Sequence, residues 1–180
     1  MGSWTDSAFG SFTDVMVQDA DGLRTLMAPT DQVADYVAGT YSFDRVEVCP
    51  VTCARDGSAW EVTAGPLSLR FSTGSRTRLG TLLRLVPRPV ASRRWFCSVI
   101  DPVARRVLPG VRTVGRARDG RRMWYCARDQ HRIVAAEATW SRQSLGGLAP
   151  MLPPVGFGFG STPLDPSLVR IVTTISRTGS

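Results

Sequence analysis

The residue types best suited to chemistry gather between positions 112 and 140. His131 is the one histidine among 180 residues, and an imidazole ordinarily titrates near neutrality, which suits a general base. Asp129 and Gln130 beside it are placed to orient the ring. Glu137 stands among Ala135, Ala136 and Ala138, so a strand through this stretch would put a carboxyl in apolar surroundings, where burial raises its pKa. Arg112 or Arg122 is the expected partner for that carboxylate. Trp124, Tyr125 and Trp140 would rim a pocket. His131 and Glu137 are thus the catalytic candidates, and Arg112, Arg122, Trp124, Tyr125 and Trp140 the ligand-binding ones. Against these roles stand an exposed turn histidine and a Glu137 paired with arginine for structure alone.

Two counts exclude whole classes of site. All 22 basic residues are arginine. Without lysine there is no Schiff-base amine and no Walker-type phosphate lysine. A single histidine excludes a zinc-protease helix and any site built on two imidazoles. Cysteines stand at 49, 53, 97 and 126. Cys49 and Cys53 on one strand would lie about 13 Å apart, too far for one metal or one disulfide. Four reduced thiols, no metal and no cofactor are the expectation.

Two further motifs draw attention. Gly156-Phe157-Gly158-Phe159-Gly160-Ser161 spaces glycines like a phosphate loop but lacks the lysine, and Pro163 follows it; it reads as an extended segment that edges a pocket. Arg93-Arg94-Trp95-Phe96 mixes guanidinium and aromatic groups as nucleic-acid sites do. No helix-turn-helix, zinc knuckle or other known nucleic-acid module accompanies it. Asp14, beside Val15 in the first hairpin, reads as a surface or capping residue.

The elements that must position these residues follow from periodicity and turn chemistry. Residues 1–11 read as a loose arm anchored by Trp4 and Phe9. Phe12–Gln18 and Leu23–Ala28 make a hairpin around Gly22. A helix begins at Pro29-Thr30-Asp31 and stops near Gly39. Strand follows over Phe43–Ala54 with a bulge at Pro50, then the Arg55-Asp56-Gly57-Ser58 turn, then strands at Trp60–Thr63 and Leu67–Ser72. A helical insertion fills 77–109, with Leu79, Leu82, Leu83 and Val86 on one face and a new helix from Asp101-Pro102 that turns Val103 and Val107 inward. Val111–Arg118, Arg121–Arg128 and His131–Trp140 form a three-strand meander, turning at Asp119-Gly120 and Asp129-Gln130. A Gly/Pro-rich loop covers 141–163, and Leu168–Ile175 closes the chain. The expected fold is one α+β domain over residues 1–180. It is a mainly antiparallel curved sheet or partly closed β-barrel with two or three flanking helices. In strand count this resembles lipocalin-like barrels; the Gly-x-Trp signature of that family is replaced here by Gly57-Ser58-Ala59-Trp60, so no site carries over.

Charge is uneven. Residues 1–66 hold 3 arginines and 10 acidic residues, residues 67–180 hold 19 and 5. No apolar run of about 18 residues is present to span a membrane. Met1-Gly2-Ser3-Trp4-Thr5-Asp6 lacks a basic region followed by an apolar one, so the expected location is the cytoplasm; the lysine-free composition looks like a GC-rich bacterial genome. Two functions compete. The first is binding of a small apolar metabolite, with enzymatic conversion left open. It would use a cavity between the 111–140 strands and the 79–108 helices, where Gly115, Ala117, Ala135, Ala136 and Ala138 supply little bulk. The second is an arginine-rich binding module for an anionic partner, nucleic acid or acidic protein. A purely structural or oligomeric role without ligand is the third.

Overall fold

A computed structural model describes residues 1–91, 93–107, 112–158 and 164–176. It is a mixed α+β protein with antiparallel sheets and four helices. The elements run β1 (Gly2–Trp4), β2 (Phe12–Gln18), β3 (Arg24–Ala28), α1 (Asp31–Thr40), β4 (Arg45–Val48), β5 (Val51–Asp56), β6 (Ala59–Ala64), β7 (Leu67–Arg76), α2 (Arg78–Leu85), α3 (Arg88–Ala91), α4 (Arg94–Val107), β8 (Val114–Arg116), β9 (Arg122–Trp140), β10 (Gln143–Ser144) and β11 (Ser167–Ile175). They gather into two compact units. One holds residues 1–72 and 134–148, the other 73–133 and 149–180. The chain passes between them within β7, within β9 and again after Leu148.

In the first unit, one sheet runs in the order β1-β2-β3-β4 and another in the order β10-β9-β7-β6-β5. Among the described residues both are open paths, and neither closes into a barrel. The residues read as a loose arm contribute β1, which pairs Gly2 with Asp14 and Trp4 with Phe12. The Trp4 ring stacks on Phe12 at 5.6 Å and meets Tyr36 edge-on at 6.3 Å; burial of that indole is what converts arm into strand. The Phe43–Ala54 strand is two. Proline has no amide to continue a ladder, and the chain leaves β4, which lies parallel to β3, at Pro50 and enters β5 in the other sheet. Helix α1 begins where expected: Thr30 Oγ1 accepts the Val33 amide at 3.3 Å. Val33, Ala34 and Val37 pack against Phe12, Leu26 and Ala28 to make the core.

The second unit departs further from the sequence reading. Asp129-Gln130 is no turn. β9 runs unbroken for 19 residues, and its partner there is β11, from Ser167↔Arg132 to Ile175↔Met123. Opposite the Arg170/Ile171 step the register jumps from Asp129 to Ala127, so Arg128 is the extra residue of a bulge, which bends a strand without ending it. Asp101-Pro102 does not start a helix either; Pro102 lies inside α4. The side chains of Val103 and Val107 lie outside the described residues. Leu82, expected on an inward stripe, is 61% exposed. The buried position of α2 is Gly80, whose Cβ position would lie 2.8 Å from the Gln130 amide nitrogen. The helix docks by its smallest residue against strand backbone.

All four thiols were expected free. Cys49 and Cys53 are, their thiols pushed up in pKa chiefly by burial. Cys97 and Cys126 form a disulfide, with Cα atoms 5.9 Å apart. Its residues are 29 positions apart, on a helix and a strand, a proximity that local spacing does not reveal.

Candidate anion-binding site

The β8–β9 hairpin turns on Gly120 at φ 86°, a backbone conformation glycine adopts without strain. Ala117 N–H donates to the Arg121 carbonyl at 2.8 Å, and Asp119 pairs with Arg121 across the turn. This register sets Arg116 directly opposite Arg122 and Val114 opposite Trp124. Side chains alternate along a strand, so Arg122, Trp124 and Cys126 share one face. Helix α4 lies on that face through residues 94, 97, 98 and 101, one stripe of a 3.6-residue repeat. The Arg94 guanidinium lies 5.0 Å from the Trp124 ring centre and the Arg122 guanidinium 5.4 Å from it. Trp124 donates its indole N–H to Ser98 Oγ at 3.3 Å. Buried Asp101 accepts the Thr113 and Val114 amides at 2.7 and 3.1 Å, and Thr113 donates its hydroxyl to the Cys97 carbonyl at 2.7 Å. The disulfide completes the attachment.

Two guanidiniums, of Arg94 and Arg122, thus meet on one buried indole, and a third arginine, Arg116, stands opposite Arg122 in the ladder. Arg94, Arg116 and Arg122 are all exposed, and among the described residues none forms an ion pair with a carboxylate. Three of the unit's four acids are engaged elsewhere. Its sequence holds 17 arginines and 4 acidic residues, a net +13, against −6 in the other unit. Asp129 binds Arg76, Asp119 binds Arg121, and Asp101 caps backbone amides. Like charges directly opposite on a ladder destabilise it. The indole face offsets part of that by cation–π attraction. What remains is a set of planar donor forks of the kind that bind phosphate oxygens.

The other candidates are dispersed. His131 sits on β9, about one-third exposed. Its Nδ1 lies 3.1 Å from the Gly74 carbonyl; a carbonyl accepts only, so Nδ1 donates there. Its Nε2 is 3.7 Å from Asp129 Oδ1. Asp129 serves Arg76 before it serves the histidine. Arg76 Nε and Nη2 donate to its two oxygens at 2.7 and 3.2 Å, and this pairing chiefly holds the carboxyl below its ordinary range. Glu137, expected as an internal acid, is exposed in the other unit. There it borders an open crevice of about 530 Å³ with Arg70, Ser68 and Thr139; Arg70 is held chiefly by Glu61, and Glu137 adds a weaker attraction to it. Trp140 is half-buried in that same unit, while Arg112 is exposed and Tyr125 half-buried in the arginine-rich one. Trp124 is 7% exposed and belongs to the disulfide cluster, not to a pocket rim. Of the glycine-rich segment, Phe159-Gly160-Ser161 lies outside the described residues.

Asp14, expected at the surface or as a cap, is neither. It is fully buried, accepts the Trp4 indole N–H at 2.8 Å through Oδ1 and leaves Oδ2 without a partner. Burial pushes its carboxyl up to about 6, against the opposing pull of Trp4 and the N-terminal ammonium. An acidic residue in alternation with Phe12 and Met16 was the available signal, because those two face the core. Among the described residues no group of three or more His, Cys, Asp or Glu is placed to hold a metal ion, and no helix is long and apolar enough to cross a membrane.

Comparison with protein-family models, with curated proteins and with solved structures finds no match for the chain.

Proposed function

We propose that the arginine-rich unit is a binding module for a phosphate-bearing polymer, with nucleic acid as the partner class. The observation that carries this reading is Arg116 opposite Arg122, joined by Arg94 over Trp124, with no carboxylate paired to any of the three among the described residues. A fold that keeps three exposed, like-charged arginines this close gains when an anion arrives. Planar guanidinium forks pair with carboxylate and phosphate alike; a nucleic acid presents its charges in a continuous row, whereas an acidic protein presents them only where its side chains fall. The disulfide under the site supports a working environment more oxidising than the cytoplasm.

The test is fluorescence anisotropy of a labelled oligonucleotide over a range of salt. Binding should weaken steeply with salt, and an Arg116→Ala/Arg122→Ala double variant should lower the log–log slope by about 2 for two lost phosphate contacts. No binding at low salt, or an unchanged slope, overturns the reading.

A second reading keeps the small apolar ligand and moves it. A cavity of about 300 Å³ in the first unit is lined in part by Phe9, Phe12, Val33 and Val51, within the size range of small-molecule sites. Filling it by Val33→Phe should abolish uptake of an apolar fluorescent probe; equal uptake by the variant removes this reading.

A further inference from the structure

We propose that the polymer is single-stranded and that an unpaired base stacks on Trp95. This rests on the polyanion reading above and narrows it. Among its described side chains, helix α4 leaves a large indole and an aliphatic group outward. Its docked stripe carries Arg94, Cys97, Ser98 and Asp101, which meet Trp124, Cys126 and Thr113. The adjacent stripe carries Trp95, Val99, Pro102 and Arg106. All four are exposed, Trp95 at 58% and Val99 at 68%.

Burial of apolar surface is the main favourable term in folding, so an outward Trp95 has no folding rationale. The other four tryptophans are buried or half-buried. Phe96 stands perpendicular to the Trp95 ring at 5.9 Å and so braces its orientation. Arg93 and Arg94 precede it, both exposed, and Arg106 lies about 18 Å further along the helix axis. An exposed indole within a run of guanidiniums suits a ligand that is anionic along its length and offers flat apolar groups. Single-stranded nucleic acid has both properties. In a duplex the base faces are already stacked and Trp95 has nothing to meet. An anionic membrane surface would also take the charges and an interfacial indole; the Phe96 ring that holds Trp95 at a fixed angle favours stacking on a base, and the vesicle arm of the experiment separates the two.

The experiment compares wild type, Trp95→Leu and Trp95→Phe in the full chain. The ligands are labelled oligothymidylate and a mixed-sequence duplex of matched length. Circular dichroism establishes that the variants are folded. Wild type should prefer the single strand. Trp95→Leu should weaken that binding about ten-fold, in keeping with the loss of one stacked base, and leave duplex binding unchanged. Trp95→Phe should retain most of the affinity. Salt-sensitive binding with no preference for the single strand, or with no response to Trp95→Leu, overturns this inference and leaves the polyanion reading standing. Failure to bind either nucleic acid overturns both. Sedimentation with phosphatidylserine vesicles that is undiminished in Trp95→Leu, without a single-strand preference, assigns the surface to lipid and also overturns it.

Discussion

Arg116 and Arg122 face each other across the β8–β9 ladder, two like charges in direct cross-strand register. Like-charge pairs at such positions cost roughly 0.2–1 kcal/mol. Arg116→Thr is therefore expected to raise stability by about 0.5 kcal/mol at low salt, with the gain shrinking as salt screens the pair. The same change should weaken oligonucleotide binding. Denaturant midpoints and anisotropy, measured together, check both directions. A variant that loses stability and keeps its affinity would show the pair to be structural.

Asp14 gives the protein a pH-dependent stability with a definite sign. Its folded pKa of about 6 lies above the ordinary 3.8. Stabilisation from the protonated carboxyl is complete below about 3.8 and is lost as pH rises through about 6, amounting to about 3 kcal/mol over that window. Asp44, held down at about 2 chiefly by Arg24, and Asp129, lowered chiefly by Arg76, act in the opposite sense. Their contributions are lost only below the ordinary carboxylate range, so the two windows separate. Urea midpoints between about pH 4 and pH 7 should fall with rising pH in wild type and stay nearly level in Asp14→Asn. A flat wild-type profile would refute the assignment.

The disulfide predicts a thiol count. Denatured protein should titrate two thiols without reductant and four with it. The bond closes a loop across a separation of 29 residues, and constraint of the unfolded chain by such a loop is worth about 3–4 kcal/mol. Cys97→Ser/Cys126→Ser should lower unfolding stability by that order and weaken oligonucleotide binding, because α4 then holds Arg94 over Trp124 less firmly.

Gly80 predicts a reversal of helix propensity. Alanine in a helix interior normally gains up to about 1 kcal/mol over glycine. Here the added methyl would run into the Gln130 backbone, and overpacking of that kind costs about 1–3 kcal/mol. Gly80→Ala should therefore destabilise, as read from the thermal midpoint; a stabilised variant would show that α2 does not dock there.

What the sequence by itself determined lies where a few adjacent residues fix the backbone. The Asp56-Gly57 and Asp119-Gly120 turns, the Thr30 cap of α1, the limits of β2 and the helical character of α2 and α4 are all legible, because glycine at positive φ, a capping hydroxyl and a 3.6-residue repeat act locally. What only the tertiary structure decided lies where partners are distant in the chain. Trp4 recruits the arm into a strand by covering Asp14. Pro50 moves the chain from one sheet to another. The Arg128 bulge lets β9 continue through a stretch whose polar Asp129-Gln130 pair reads as a turn, since Gln130 finds Thr77 and Ser167 to bond. Cys97 meets Cys126, and Arg94 meets Trp124, only after α4 has docked. The composition already set arginine as the cation. Strand register, which periodicity leaves free until a partner strand is chosen, decided that Arg116 faces Arg122 beside Trp124.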